Sequence, residues 1–341
     1  MKLKKLVKKK NISEDKFLQV YNTNSHYIKT VEEYSNSFKK YSKDFCIHYM
    51  SLDNLINNIK NKSEILLEYK IILFTYDVNY FTINELDKEI KKYILSNFFT
   101  IFFWQDEYLY TDIKSKILKD FNVDLCFVNV NQIDAPIIFN NNKTIFKNVL
   151  TGYIPDIHYE KKKIKDRNTD VFYRATPLNY IYGDLGQEKT NIGKIIKKNG
   201  LQKNLNVDIE WEHGKKIFGE KWYESLINSK TTLATECGCK VFDFEPRNTE
   251  IQNILKERPN YTYEEAKKDF KIEPMFEACQ VSPKMFEAVK LGTVLIMYEG
   301  KYKGIFKPNI HYIELKKDHS NIESVIDKIK DDDYLQNMAD R

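Results

Sequence analysis

Short continuous apolar runs alternate with amphipathic stretches along nearly the whole chain, and this rhythm constrains the fold more than any other feature. The run YKIILFTYD, Tyr69 to Asp77, stands between helical patterns at SLDNLINNIKNK and INELDKEIKKYILSN; FFTIFFWQDEY and DLCFVNV follow, separated by DIKSKILKDFN. An apolar run without polar alternation suits a strand buried on both faces, which requires crossover helices on both sides of a parallel sheet. FCIHYM is a further strand candidate. Residues 15 to 43 carry a 3.6-residue period through Phe17, Val20, Tyr21, Tyr27, Val31 and Tyr34, so the sequence predicts a helix there.

Between about Asn140 and Asp170 the rhythm breaks into NNNK, LTGYIPDI and the charged run YEKKKIKDRN, the composition of an interdomain connection. A second alternation follows: TDVFYRA, a loop and helix over YGDLGQEKTNIGKIIKKNG, VDIEW, the helix GEKWYESLINS, TTLATECGCKVFDF, a polar helical excursion over 246 to 280, then VLIMYEG, HYIEL and a helix from Ile322. A chain of 341 residues exceeds one typical core. The expected architecture is α/β, two Rossmann-like doubly wound domains facing a cleft. Its parts are a basic tip at 1–12, a first domain at 13–155, a linker at 156–168, a second domain at 169–320 and a closing helix at 321–341, for which the first domain is one place to pack. In such sheets ligands bind at the carboxyl ends of the strands.

Composition narrows the class. Hydrophobic content of 42% with 14% aromatic excludes wholesale disorder. The net charge of +5 arises from 54 basic and 49 acidic residues, so only its location matters. Six of the first ten residues are lysines, and no long apolar core follows them, which points to neither a signal peptide nor a membrane span. The expected location is cytoplasmic, peripherally at the inner face of the membrane. The tip reads either as a solvated terminus or as a contact with an anionic membrane surface. Five cysteines, mostly within apolar runs, suit reduced thiols. Cys237 and Cys239 form only C-x-C, so no metal site is expected. The phosphate-binding loop, the G-x-G-x-x-G fingerprint and the G-x-S-x-G elbow are all missing from the sequence.

VSPKMFEAVKLGTVLIMYEG reads as a short helix feeding a buried strand, with Ser282 at the N-cap, Pro283 at the first helical position and Gly292 after its end. Met285, Phe286 and Val289 fall on a core-facing side; Lys284 and Glu287 share the other. A lysine in a first helical turn opposes the macrodipole unless an anion sits there, and Glu287 would then accept hydrogen bonds from a ribose. An ordinary capped helix with a solvated polar side accounts for the same residues. At the carboxyl ends of the second domain's strands stand Arg174, Lys189, expected at the opening of its helix, and Glu236. Together with Ser282, Lys284 and Glu287 they would suit a nucleoside diphosphate, and the cations and free N–H groups would stabilise a departing diphosphate.

Four segments, YRATPLNYIYGDLGQEKTNIG, VDIEWEHGKKIFGEKWYESLINSKTTLATECGCKVFDF, VSPKMFEAVKLGT and YKGIFKPNIHYIELKKDHSN, in this order resemble the C-terminal domain of bacterial glycosyltransferases of the GT-B fold, a branch related to family 4. QDEY at Gln105 to Tyr108 and LTGYIP at Leu150 to Pro155 look like signatures of the same branch. The resemblance implies a glycosyltransferase that is metal-independent, holds no tight cofactor and takes a nucleotide-sugar donor as substrate. Arg174, Lys189, Ser282 and Lys284 would hold the diphosphate and Glu287 the ribose. Members of the family carry two glutamates seven residues apart. Glu287 looks like the second, but Glu277 stands too far upstream to be the first and Glu236 is separated from it by the excursion; Glu236 is the expected donor-sugar glutamate. The related Ser-Pro-Arg is Ser-Pro-Lys here, which keeps the charge and loses the bidentate fork.

On the acceptor side the candidates are Asp106 and Glu107 of QDEY, either orienting an acceptor hydroxyl or capping the next helix, with Tyr108 beside them and His26 as a lesser one. The acceptor implied is a glycan or lipid-linked glycan of a cell-surface precursor such as capsule or lipooligosaccharide, which places the chain in polysaccharide biosynthesis. The alternative is a non-catalytic two-domain α/β protein that binds a glycan or polyanion. Nucleic-acid binding rests only on the lysine tip and is disfavoured.

Overall fold

Ile71, Ile72, Leu73 and Phe74 are each no more than 3% exposed, so both faces of this strand are covered, as its unbroken apolar run requires. The computed structural model describes residues 16–21, 29–152, 156–212, 214–245 and 247–341, with the backbone alone over 29–33. The lysine tip, His26 and residues 153–155 of LTGYIP lie outside them.

The chain parts into two units, Met1–Val149 and Leu150–Arg341. The first contains β1 (Lys16–Tyr21), α1 (Lys29–Tyr41), β2 (Cys46–Ser51), α2 (Leu52–Lys60), β3 (Ile71–Phe74), α3 (Tyr80–Glu85), α4 (Lys88–Asn97), β4 (Phe99–Phe103), α5 (Thr111–Asp120), β5 (Leu125–Val128), α6 (Ala135–Ile138) and β6 (Ile145–Asn148). Among the described residues the sheet has six parallel strands in the order β2-β1-β3-β4-β5-β6. Phe17, Ile47, Ile71, Leu73, Phe99, Ile101, Phe103 and Leu125 pack on one of its faces.

Two expectations change here. Lys16–Tyr21 is an interior strand and not the start of a helix: Phe17 to Val20 are buried in succession, a period of one that a wider helical window absorbs. Gln19 tolerates that position because its amide donates to the Ser35 carbonyl at 2.8 Å and to Ser35 Oγ at 3.0 Å. Ile145–Asn148, read as part of a connection, is the edge strand β6.

The second unit runs β7 (Thr169–Arg174), α7 (Gly183–Gln202), β8 (Val207–Glu210), α8 (Glu220–Ile227), β9 (Ser229–Ala234), β10 (Cys237–Cys239), α9 (Arg247–Glu257), α10 (Tyr263–Asp269), β11 (Ala278–Gln280), α11 (Pro283–Lys290), β12 (Val294–Tyr298), β13 (Tyr312–Leu315), α12 (Ile322–Lys330) and α13 (Asp332–Asp340). Its main sheet is parallel in the order β13-β12-β9-β7-β8. Alternate residues feed two cores: Val171 and Tyr173 join Ile196, Ile296 and Ile313, while Phe172 joins Trp222, Met285 and Leu295. Burying each such side chain stabilises the fold by about 1.5–3 kcal/mol. Val325, Ile329, Leu335 and Met338 of the two closing helices lie in the first of these cores. Both units are therefore doubly wound and Rossmann-like.

Arg167, from the charged run before β7, is 4% exposed and ties strand starts together. Its guanidinium donates to the carbonyls of Ser229 at 2.9 Å and Leu291 at 3.0 Å and to Thr293 Oγ1 at 3.0 Å. Burial lowers its pKa to about 10, and the carbonyls satisfy it without a carboxylate. Among the described residues no helix is long and apolar enough to cross a membrane.

Candidate functional site

The order of the second sheet reverses at β7, whose sequence successor β8 lies on one side and β9 on the other. Crossover connections leave a crevice at the carboxyl ends of strands flanking such a reversal. A recess of about 300 Å³ lies there, lined by Arg174, Thr176, Lys189, Thr235, Cys237, Ser282 and Lys284 among others. The six candidates of this unit differ in how they meet it.

Lys284 and Lys189 both line it. α7 begins at Gly183, so Lys189 lies in the second turn and does not open the helix as expected. Among the described residues its ammonium makes no hydrogen bond or ion pair, though its backbone carbonyl accepts from Tyr173 Oη at 2.9 Å. The Lys284 ammonium stands 4.8 Å from the centroid of the Trp222 ring. Lys284 is solvent-exposed by surface area, yet protein closely surrounds its ammonium, as in a concavity open to water. This crowding lowers its pKa, Glu287 opposes the lowering and Lys189 adds to it; because water reaches the group, screening limits the effect. Two ammonium groups near enough to repel each other thus share one recess.

Ser282 occupies the N-cap of α11 with extended backbone, φ −66 and ψ 138, but its hydroxyl makes no cap hydrogen bond. It lines the same recess. Arg174 lies at the end of β7 with its guanidinium committed: Nη2 pairs with Asp208 Oδ1 at 2.7 Å, and Nη1 donates to the carbonyls of Tyr173 and Asp208, each at 2.9 Å. Its Nε is buried and has no hydrogen-bond partner among the described residues.

Glu287 is placed otherwise than its helical position suggests. It is 3% exposed, and its Oε2 accepts from Trp222 Nε1 at 2.7 Å, whereas Val289, expected in the core, is 42% exposed. The helix is rotated so that its carboxylate side meets Trp222 of α8; the indole N–H and the Lys284 charge above the same ring make burial of the acid tolerable.

Glu236, after β9, is 6% exposed and does not line the recess. Its Oε1 accepts the backbone N–H groups of Lys301 at 3.1 Å and Tyr302 at 2.9 Å, so the loop after β12 fixes it. Gly300 makes room, since a Cβ there would lie 3.0 Å from Glu236 Cδ. Close by, Glu188 of α7 pairs with Lys317 at 2.7 Å; burial raises the Glu188 pKa, Lys317 lowers it and the Glu236 charge raises it further.

In the first unit, QDEY divides. Asp106 is exposed, in the left-handed region at φ 52, and its carboxylate accepts from Tyr108 Oη. Glu107, expected to emerge at the strand end, is instead fully buried. The backbone N–H of Asn129 donates to its Oε1, its own carbonyl accepts from Thr111 Oγ1 at 2.8 Å, and Oε2 has no partner among the described residues. Burial raises its pKa to about 7. Buried Lys114 closes the turn by donating to the carbonyls of Asp106 at 2.6 Å and Leu109 at 3.0 Å, and burial lowers its pKa to about 8. Glu107 is thus part of a loop-holding knot, out of reach of a ligand at the surface.

Sequence reasoning missed Trp222, Asp208 and Lys317. Asp208 alternates with Ile209 in VDIEW and reads as an ordinary outward residue; only the β7–β8 register, Phe172 opposite Asp208, brings it to Arg174. A second recess of about 250 Å³ lies in the same unit at the opposite, amino end of β12, lined by Phe286, Val289, Phe306 and Met338 among others. Its lining is mostly apolar, with His311 and Arg341 at it, and it stands away from the strand ends that carry Lys189 and Lys284.

The second unit is thus a doubly wound domain with a cationic recess at its switch point. No family model matches the chain, and no curated protein matches it either. Among solved structures it is similar to the crystal structure of TarM, with TM-score 0.44 and 11% identity over 84% of this chain and 53% of that one. It therefore spans about half the length of TarM. It is also similar to the lipopolysaccharide outer core galactosyltransferase WaaB in its apo form, with TM-score 0.40 and 12% identity over 96% and 95% of the two chains. Likenesses this distant leave function to be argued from the chain's own residues.

Proposed function

We propose that the chain is a glycosyltransferase whose second unit holds the diphosphate of a nucleotide-sugar in the switch-point recess. The observation that carries this reading is the convergence of two mutually repelling lysines, Lys189 and Lys284, with the start of α11 and the uncommitted Ser282 hydroxyl on one concavity. Such an arrangement is electrostatically incomplete without an anion and suits a compact polyphosphate. As the anomeric C–O bond to the diphosphate breaks, charge grows on the oxygen facing these groups, and they stabilise it. Glu236, held rigidly by the Lys301 and Tyr302 amides, is the carboxylate for the donor sugar. The first unit would supply the acceptor side, with Asp106 as its exposed carboxylate. The acceptor class is a glycan or lipid-linked glycan of a cell-surface precursor.

Titration calorimetry with a panel of nucleoside diphosphates tests the donor site. One of the panel should bind, and Lys284→Met or Lys189→Met should each weaken it about tenfold or more, as for loss of a charge-assisted contact. Failure of every diphosphate to bind the folded protein sinks the reading. Binding without transfer or hydrolysis of any nucleotide-sugar would favour the non-catalytic polyanion binder.

A further inference from the structure

A second reactive cluster lies in the first unit, at the amino end of β2. Cys46 and His48 are two residues apart on a strand, and period two places both side chains on one face, opposite the face where Ile47 enters the core. Cys46 Sγ lies 3.2 Å from His48 Nε2, and His48 Nδ1 lies 2.8 Å from Tyr69 Oη. Cys46 is exposed, His48 half-buried and Tyr69 buried. The β1–β2 register sets Lys16 directly opposite Cys46, and Lys16 is in turn paired with Glu68 at 3.2 Å. Thiol, imidazole and phenol therefore form a chain of contacts from solvent to core, with an ammonium beside its outer end.

The contacts give the thiol proton a positioned acceptor. If the thiol proton passes to Nε2, the imidazolium has two N–H groups; one donates to the sulfur and the other to the Tyr69 phenol oxygen, so both are satisfied. Burial raises the Tyr69 pKa, which keeps that phenol neutral and able to accept. The thiolate is the form that attacks sulfur, and a positioned base supplies it by taking the thiol proton. The other cysteines differ: Cys126, Cys239 and Cys279 are buried, and Cys237 is half-buried in the recess of the second unit.

We propose that Cys46 is a thiol-exchange site that takes a small disulfide of the glutathione type into a mixed disulfide, with His48 as its proton acceptor and Tyr69 as the residue that positions the imidazole. The Cys46 sulfur attacks one sulfur of the disulfide, a new S–S bond forms as the old one breaks, and the departing thiolate takes the proton from His48. Cys46 is oxidised and the released half of the reagent is reduced, so no other reactant is needed.

The test is incubation of the full chain with glutathione disulfide, followed by intact-mass and peptide mass spectrometry. One glutathionyl group should appear on Cys46, removable by reductant, at about ten times or more the rate of the same protein unfolded in urea at equal pH. In His48→Gln the rate should fall by a similar factor, and the part of the wild-type pH profile that follows imidazole titration should vanish, with circular dichroism confirming the fold. Tyr69→Phe should shift that profile while leaving Cys46 the labelled residue. A folded-state rate no greater than the unfolded one overturns the proposal whatever the variants do. Labelling spread across all five cysteines, an unchanged rate in folded His48→Gln, or a disulfide between two chains would do the same.

Discussion

Glu287 and Lys284 meet through one indole: Trp222 donates from Nε1 to Glu287 Oε2 at 2.7 Å, and the Lys284 ammonium stands 4.8 Å from the centroid of the same ring system. The acid and the base of α11 are therefore linked on its inner side, and the charge that lines the recess is held from beneath by a residue of α8. Effects of changing Glu287 should pass through this linkage.

Glu287→Ala leaves the indole N–H unpaired and removes the charge that opposes the lowering of the Lys284 pKa. Stability should fall by about 1–3 kcal/mol, whereas Glu287→Gln, which keeps an acceptor, should lose less. Urea denaturation of both variants measures the difference; equal losses would mean that the Trp222 contact contributes little. Nucleotide affinity should fall in Glu287→Ala as well, since the position of Lys284 depends on the same contact.

Arg174 can reach a diphosphate only by leaving Asp208. Asp208→Asn keeps the shape of the pair and removes its charge, so a diphosphate ligand should bind several-fold more tightly to this variant than to the parent. Calorimetry reads this directly. An unchanged affinity would mean that Arg174 serves the β7–β8 edge and not the ligand.

Glu107 should make stability depend on pH. Its folded pKa is raised to about 7 from 4.5, so its stabilising contribution is complete below pH 4.5 and is lost as pH rises through 7. Glu107→Gln does not titrate. It should therefore gain on the parent by about 1–3 kcal/mol between pH 5 and pH 8, the nearby Lys114 charge keeping the gain below the full linkage value. Lys114 acts in the opposite sense: its pKa is lowered to about 8 from 10.5, so its contribution is present above 10.5 and lost as pH falls through 8. Thermal melting across pH 5 to 8 is the measurement, and parallel curves for parent and variant would refute the assignment.

Gly238 should not accept a side chain. It has φ +84, and a Cβ there would lie 2.0 Å from the Ala278 carbonyl oxygen across the antiparallel pair β10–β11. Gly238→Ala should part these strands, at a cost of about 1–3 kcal/mol from the strained backbone alone. Proteolysis should then cut within 240–277, the segment that the pair closes. Retained resistance would show that the arm is held by other contacts.

Much of the architecture was legible in the sequence because strands covered on both faces need unbroken apolar runs. Ile71–Phe74, Phe99–Phe103 and Val294–Tyr298 therefore announced a parallel sheet, and the caps and glycines around Ser282 and Gly292 announced α11. Lys189, Ser282 and Lys284 were legible for a related reason: in a doubly wound sheet, residues just past strand ends and at helix starts collect at one edge. β1 escaped because its strand of six residues lies inside a longer window with a false helical period.

Tertiary structure decided which polar groups past the strand ends of each unit remain available. Asp208 holds Arg174 through the β7–β8 register, Trp222 draws Glu287 inward through the rotation of α11, and Asn129 and Lys114 enclose Glu107 within the β4–α5 turn. Each partner is remote or unpatterned in sequence, and a buried charge goes to whichever hydrogen-bonding group the packing supplies. Local sequence determines where a side chain starts, through periodicity and capping; its end point depends on neighbours that only the folded chain brings together.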